Sequence, residues 1–313
     1  MGVFFMTFDE IQAQILSLSN LPNVDFFIVG YSLLGKPVYG AHIGNYDGNQ
    51  LLIEGAIHAR EYITSLLIVD QVKYLYNKPI SGGIYFIPMV NPDGVQLVLD
   101  GTRGITCEKQ RQFILNVNDG SEDFGQWKAN LNAVDLNVNF NAEWGGGIQN
   151  VFCPAPGNFV GYYPNSEREV NNLINFTLKN QPNATISYHT KGEVIYYGFE
   201  VLNAEQLARD LDIARTIQNV TGYQIIKTSE STGGYSDWVS LYLGVPAFTV
   251  EVGNNDLPHP IGIDQLPTIF EQNKDVPIVA LNEAIRYQNQ INTQKLRHKT
   301  QPRMMSLFRR FKR

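Results

Sequence analysis

Apolar residues recur at helical spacing at Ile11, Ile15 and Leu18, behind Thr7 and Glu10, whose separation suits a capping box. The period then changes, and residues 24–30 and 37–43 read as strands around the turn Leu34-Gly35-Lys36. Gln50 to Ile57 is a nearly continuous apolar run, the pattern of a strand buried on both faces. A helix is predicted over 61–76, and a second buried strand over Gly83 to Val90, stopped by the turn Asn91-Pro92-Asp93-Gly94. Residues 101–163 are rich in Asn, Gly and Asp and lack a period, so they read as long loops around one short segment, Asn132 to Phe140.

Downstream, Ser166 and Glu169 open a helix with another capping box, and Ala184 to His189 is a strand. Asn203 caps a helix through Leu207, Leu211 and Ala214 that stops near Gly222. A short helix lies between Gly234 and Gly244, a strand at Ala247 to Val252, and a last helix at 267–289. Strands alternating with helices predict an α/β fold with helices on both faces of the sheet. Neither a repeat nor a linker divides the chain, so one domain is expected over 1–294, followed by a separate, flexible tail at 295–313.

Composition narrows the class. Of 313 residues, 43% are hydrophobic and 17% charged, which excludes a disordered or collagen-like chain. Two cysteines, Cys107 and Cys153, form neither a disulfide framework nor a zinc-finger spacing. The net charge is −6, yet residues 295–313 hold eight of the 24 basic residues and no acid, which leaves −14 on the rest. An acidic body with a basic end is not a nucleic-acid-binding pattern. The tail, with Met304, Met305, Leu307, Phe308 and Phe311 among its cations, would make at most a weak contact with an anionic surface.

Neither a signal peptide nor a transmembrane run is evident, so a cytoplasmic protein is expected, with a spore or cell-wall association as the alternative. The sequons at Asn175, Asn183 and Asn219 carry little weight without a secretory signal.

Candidate chemistry sits at strand ends. His58 follows Leu51 to Ile57, Glu61 comes three residues later, His189 follows Ile186-Ser187-Tyr188, and Glu251 closes Phe248-Thr249-Val250. Sites in open α/β sheets gather at the carboxyl ends of strands. Two imidazoles and a carboxylate suit a catalytic zinc with a fourth position open, and a second carboxylate suits a general base. The same residues could equally be hydrogen-bonded core groups.

The wider motifs bear on that choice. His58-Ala59-Arg60-Glu61, Asn91-Pro92-Asp93-Gly94, Val134-Asp135-Leu136-Asn137, Tyr188-His189 and Thr249-Val250-Glu251 together resemble the zinc carboxypeptidase family, in its order, from about residue 28 to 275. The resemblance implies a mixed, mostly parallel, twisted sheet in a single domain. It implies one Zn2+ per chain on His58, Glu61 and His189, with Glu251 as general base. The family places an Arg after a Trp to face the oxyanion, and here Trp127-Lys128 puts Lys128 in that role, as a point charge and not a planar fork.

Three departures follow. The family's Asn-Arg clamp for a terminal carboxylate falls on Asn137-Val138, and Val138 cannot donate a bidentate pair. The family tyrosine falls on Ser229, with Tyr235 nearby, and the residue that sets side-chain preference falls near Ser236. Arg60, Asn137, Tyr235 and Ser236 are the expected substrate-binding residues, with Arg103, Arg111 and Lys191 as further available cations.

The stretches Trp127-Lys128-Ala129-Asn130, Tyr188 to Tyr196, Gly233 to Trp238 and Glu251-Val252-Gly253 resemble bacterial γ-D-glutamyl-meso-diaminopimelate peptidases. The expected function is therefore zinc-dependent hydrolysis of the γ-D-glutamyl–meso-diaminopimelate amide bond in cell-wall muropeptides. A carboxypeptidase with a relocated clamp and a catalytically silent peptide-binding protein are the alternatives.

Overall fold

The computed structural model describes residues 6–199 and 201–300, the last ten as backbone. The strands, in chain order, are β1 (Asp25–Tyr31), β2 (Pro37–Gly44), β3 (Gln50–Gly55), β4 (Gly83–Ile87), β5 (Ala184–His189), β6 (Val194–Tyr197), β7 (Gln224–Lys227) and β8 (Ala247–Glu251). The helices are α1 (Phe8–Leu16), α2 (Ile63–Leu75), α3 (Pro92–Asp100), α4 (Glu108–Val117), α5 (Arg168–Asn180), α6 (Ala204–Thr221), α7 (Tyr235–Leu243), α8 (Leu266–Asn273) and α9 (Val276–Thr300).

The eight strands form one mixed sheet in the order β1-β2-β4-β3-β5-β8-β6-β7. Its centre, β4-β3-β5-β8, is parallel throughout. The chain leaves β3 through α2 for β4 on one side, and later returns to β5 on the other. The crevice between β3 and β5 is thus a topological switch point, where α/β sheets present ligands.

Side-chain alternation sorts the core into two layers. Leu51 and Ile53 of β3, Ile84 and Phe86 of β4, and Ile186 and Tyr188 of β5 pack with α1, α2, α6 and α9. Leu52, Tyr85 and Ile87 face the other way, against α5 and α7. A third cluster around Ile114, Phe124, Trp127 and Leu131 supports the segment that leads to Lys128.

Local chemistry sets the helix starts. Thr7 and Glu10 make the expected reciprocal capping bonds, as do Asn203 and Gln206. The predicted turn Asn91-Pro92-Asp93-Gly94 is instead the start of α3, with Asn91 accepting from the Gly94 amide and Pro92 in the first turn. Ser166 and Glu169 do not form a capping box: α5 starts after Glu167, the Ser166 hydroxyl donates to Glu167, and the Glu169 carboxylate is drawn off to the Leu33 amide.

Within the predicted loop 101–163 lies α4. The last predicted helix is two helices, and α9 continues to Thr300, into the expected tail. Residues 301–313, with the cations from Arg303 onward, lie outside the described residues. Among the described residues no helix is long and apolar enough to cross a membrane.

Ile186 is fully buried in the central strand. Truncating it to Ala is expected to lower unfolding free energy by about 2–5 kcal/mol, read as a shifted urea midpoint at constant m-value.

Candidate metal centre and cavity

The carboxyl end of β3 runs through His58 into a single 3-10 turn, Ala59–Glu61, that leads into α2. That turn is docked on the chain: the Ala59 amide donates to the Lys128 carbonyl and the Arg60 amide to the Trp127 carbonyl. Asn91 ties the same pieces together through bonds to the Ile57 and Ala129 carbonyls. A methyl group on Gly94 would meet the Ala129 oxygen at 2.7 Å, so only glycine fits this crossing. Trp127 is buried, and its indole N–H donates to the Ala129 carbonyl.

On the far side of the crevice, β5 ends at His189, in register with Glu251 of β8. His58, Glu61 and His189 are all buried, with ligand-capable atoms within 4.8 Å of one another. His58 Nδ1 lies 3.0 Å from Glu61 Oε1, His189 Nδ1 lies 3.0 Å from Glu61 Oε2, and the two ring nitrogens are 3.1 Å apart. Two ring nitrogens and one carboxylate thus converge on a single point. His189 Nε2 and Glu251 Oε2 are shielded and have no hydrogen-bond partner among the described residues. The donor chemistry, two imidazoles and a carboxylate, fits zinc with one position left for substrate or water.

The opposite edge of His58 is held by Asp135, whose Oδ1 stands 3.1 Å from Nε2. Asp135 also accepts from the Asn137 and Asn158 amides and lies 3.8 Å from Lys128 Nζ. Burial works against charge on His58, but Glu61 and Asp135 outweigh it and push its pKa up to about 9. The same pairing outweighs burial at Glu61 and Asp135 and holds both carboxyls well below the usual range. Glu251 is pushed up to about 7, chiefly by burial, with His189 working against the rise.

The site opens into a cavity of about 410 Å³. His58, His189, Glu251, Lys128, Asn137 and Ser236 all line it, together with Val138 and Ser229. The Gly233-Gly234 turn presses on this wall: a methyl group on Gly233 would meet the Val138 carbonyl at 2.8 Å, at a φ of +83° that favours glycine.

Tyr235 does not reach the cavity. It is buried, its hydroxyl 2.7 Å from Thr177 Oγ1 and its ring packed with Phe140 and Trp238, so the expected substrate contact is replaced by a core role. Arg60 stands outside the lining, bonded to the carbonyl and side chain of Gln126. Arg103 is held by the Asp100 carbonyl, Arg111 by Glu108 and the Ile105 carbonyl, and Lys191 by the Asn255 and Leu257 carbonyls.

Sequence reasoning missed Asp135 as a site residue, although it stands inside a quoted motif. It also missed Asp237, Ser240 and Thr249, which line the cavity. Their signal was a set of hydroxyl and acid groups on α7 and β8, elements otherwise apolar.

A zinc carboxypeptidase family model matches residues 16–275. A γ-D-glutamyl-L-diamino acid endopeptidase of Lysinibacillus sphaericus is 32% identical over 260 residues, 78% of this chain and 64% of its own length. The chain thus spans just under two thirds of that relative. Bovine thrombin-activatable fibrinolysis inhibitor superposes with a TM-score of 0.71 at 21% identity, covering 91% of this chain and 98% of its own. The murein-tripeptide amidase of Escherichia coli O157 superposes at 0.53 and 20% identity, covering 91% and 98%.

Asp135→Asn is expected to weaken zinc binding by roughly 10- to 100-fold, because the partner that orients His58 is lost. Competition with a chromophoric chelator measures it.

Proposed function

The chain belongs to the zinc carboxypeptidase family, and from that premise we propose that it hydrolyses the γ-D-glutamyl–meso-diaminopimelate amide bond of peptidoglycan stem peptides. His58, Glu61 and His189 hold the metal in this reading. When bound, the ion supplies Lewis-acid polarisation of a carbonyl and acidification of water.

The chain's own residues do the rest. Glu251, at the cavity wall with a shielded and unpartnered Oε2, takes a proton from the attacking water and returns it to the leaving amine nitrogen. Lys128 faces the oxygen on which negative charge develops, and Asp135 steadies its ammonium at 3.8 Å. Asp135 also fixes the ring plane of His58. Burial at one end of the cavity keeps bulk water from the proton path.

The observation that carries the choice of bond is Val138. It stands in the cavity wall at the clamp position, and Lys128 is the one Lys or Arg among the described residues that line the cavity. A plain C-terminal residue ends in a carboxylate that this wall cannot grip with a planar fork. A product-side residue inside a stem peptide does not need that grip. The Lysinibacillus relative, named for γ-D-glutamyl-L-diamino acid cleavage, agrees with this reading.

Zinc-loaded protein given the stem tetrapeptide L-Ala-γ-D-Glu-meso-diaminopimelate-D-Ala is expected to yield L-Ala-D-Glu and meso-diaminopimelate-D-Ala by mass spectrometry. Release of D-Ala alone, or trimming of plain L-peptides in its place, overturns the reading. Glu251→Gln is expected to lower kcat by roughly 10²- to 10⁴-fold with zinc content unchanged.

A further inference from the structure

One phenol in the cavity has no part in the chemistry above. Tyr196 of β6 is half-buried and lines the cavity, and no other Tyr among the described residues does. Strand alternation sets its face. Ile195 and Tyr197 pack into the layer with α1, α2, α6 and α9, so Tyr196 points the other way, into the cavity.

Register places it beside the general base. β6 runs antiparallel to β8, with Val194 opposite Glu251 and Tyr196 opposite Thr249. Tyr196 and Glu251 are therefore diagonal neighbours on one face of the sheet, a separation that an aromatic side chain spans. The Tyr196 hydroxyl makes no hydrogen bond among the described residues. The other hydroxyls of this wall are engaged with one another: Ser236 Oγ stands 3.3 Å from Thr249 Oγ1 and 3.5 Å from Ser187 Oγ. Burial, and then the charge of Glu251, push the Tyr196 phenol above its ordinary pKa, so it keeps its proton and remains a neutral donor.

The place of that donor has a chemical consequence. In the mechanism proposed above, Glu251 returns a proton to the leaving amine nitrogen. In an α-amino acid a single carbon separates that nitrogen from the residue's own main-chain carbonyl. A donor beside Glu251 thus falls where this carbonyl oxygen lies when the amide is placed for cleavage. The surrounding charge decides what kind of carbonyl it is. Glu230, Asp237 and Glu251 line the cavity, and its cation, Lys128, stands beside Asp135. A carboxylate beside Glu251 meets like charge, whereas an amide carbonyl is neutral and is satisfied by one O–H.

We propose that Tyr196 is a substrate-binding residue, whose hydroxyl donates a hydrogen bond to the main-chain amide carbonyl of the residue that leaves. This rests on the amidase reading of the site and adds the group that holds the product side of the substrate next to the scissile bond.

Two matched pairs test it. In each, one member releases lysinamide and the other cadaverine, the amine left when lysinamide loses its carboxamide. One pair is acylated by γ-D-glutamate through its side chain, the other by L-alanine. Tyr196→Phe is expected to lower kcat/KM for the lysinamide member by roughly 3- to 10-fold, the range of one neutral hydrogen bond, through KM more than kcat. The cadaverine member is expected to keep its rate, and the acid limb of the pH profile its place. The variant loses no internal bond, so its urea midpoint is expected to match that of the parent. Equal losses for both members, a shifted acid limb or an unchanged ratio overturns the assignment. If only the L-alanyl pair is cleaved, the γ-D-glutamyl reading fails while the ratio still judges Tyr196. If neither pair is cleaved, calorimetry of lysinamide and of cadaverine on the zinc-loaded protein decides it. There Tyr196→Phe must weaken lysinamide alone, and any other result overturns the assignment.

Discussion

Two carboxylates, Glu61 and Asp135, flank one buried imidazole at the floor of the cavity. Buried charge of one sign is costly unless something of the other sign stands beside it. A proton on His58 balances part of it, which is why its pKa climbs to about 9. A divalent cation balances it better, and the two compete for the same Nδ1 atom. The need for a cation at this point accounts for most of what surrounds it. It explains why Asp135 is anchored by two backbone amides, and why Lys128 hangs from a rigid, indole-braced segment.

The sheet is what makes so improbable a cluster affordable in the folded chain. Parallel pairing of β3 with β5 and of β5 with β8 sets the ends of three strands level, so residues 58, 189 and 251 meet although far apart in the chain. The switch of strand order between β3 and β5 opens the crevice at that level. Two apolar layers hold the register from both sides, and a slip of one residue would turn the ligands into the core.

Much of this was legible, and the exceptions have physical reasons. Strands buried on both faces announce themselves as apolar runs, and so β3, β4, β5 and β8 were readable, along with the polar residues that end β3, β5 and β8. By contrast β6, Val-Ile-Tyr-Tyr, is an apolar run of only four residues, and β7 is equally short and largely exposed, so neither is long enough to show a period. α4 buries only Ile114 and leaves no stripe to read. Asn91-Pro92-Asp93-Gly94 serves a turn and a helix start equally well, and only the Asn91 bonds to the Ile57 and Ala129 carbonyls distinguish them. Tyr235 was placed at the site by nearness in sequence. The helix it begins turns its ring inward, because its backbone amide is held by Asn137 and its hydroxyl by Thr177.

The apolar Val138 and the acids that line the cavity answer to one constraint on the proposed reading. An exopeptidase identifies its substrate by the carboxylate next to the scissile bond, so its wall must donate. On the reading proposed above, the residue after the scissile bond continues into the stem, and its neighbouring carboxyl is an amide with no charge to grip. A neutral donor then serves where a guanidinium otherwise would. The lining carries the acids Asp237 and Glu230, and Val138 offers no side-chain donor there. The same metal geometry can serve both kinds of cleavage, because the sheet ends fix the ligands while α7 and β8 set the sign of the pocket.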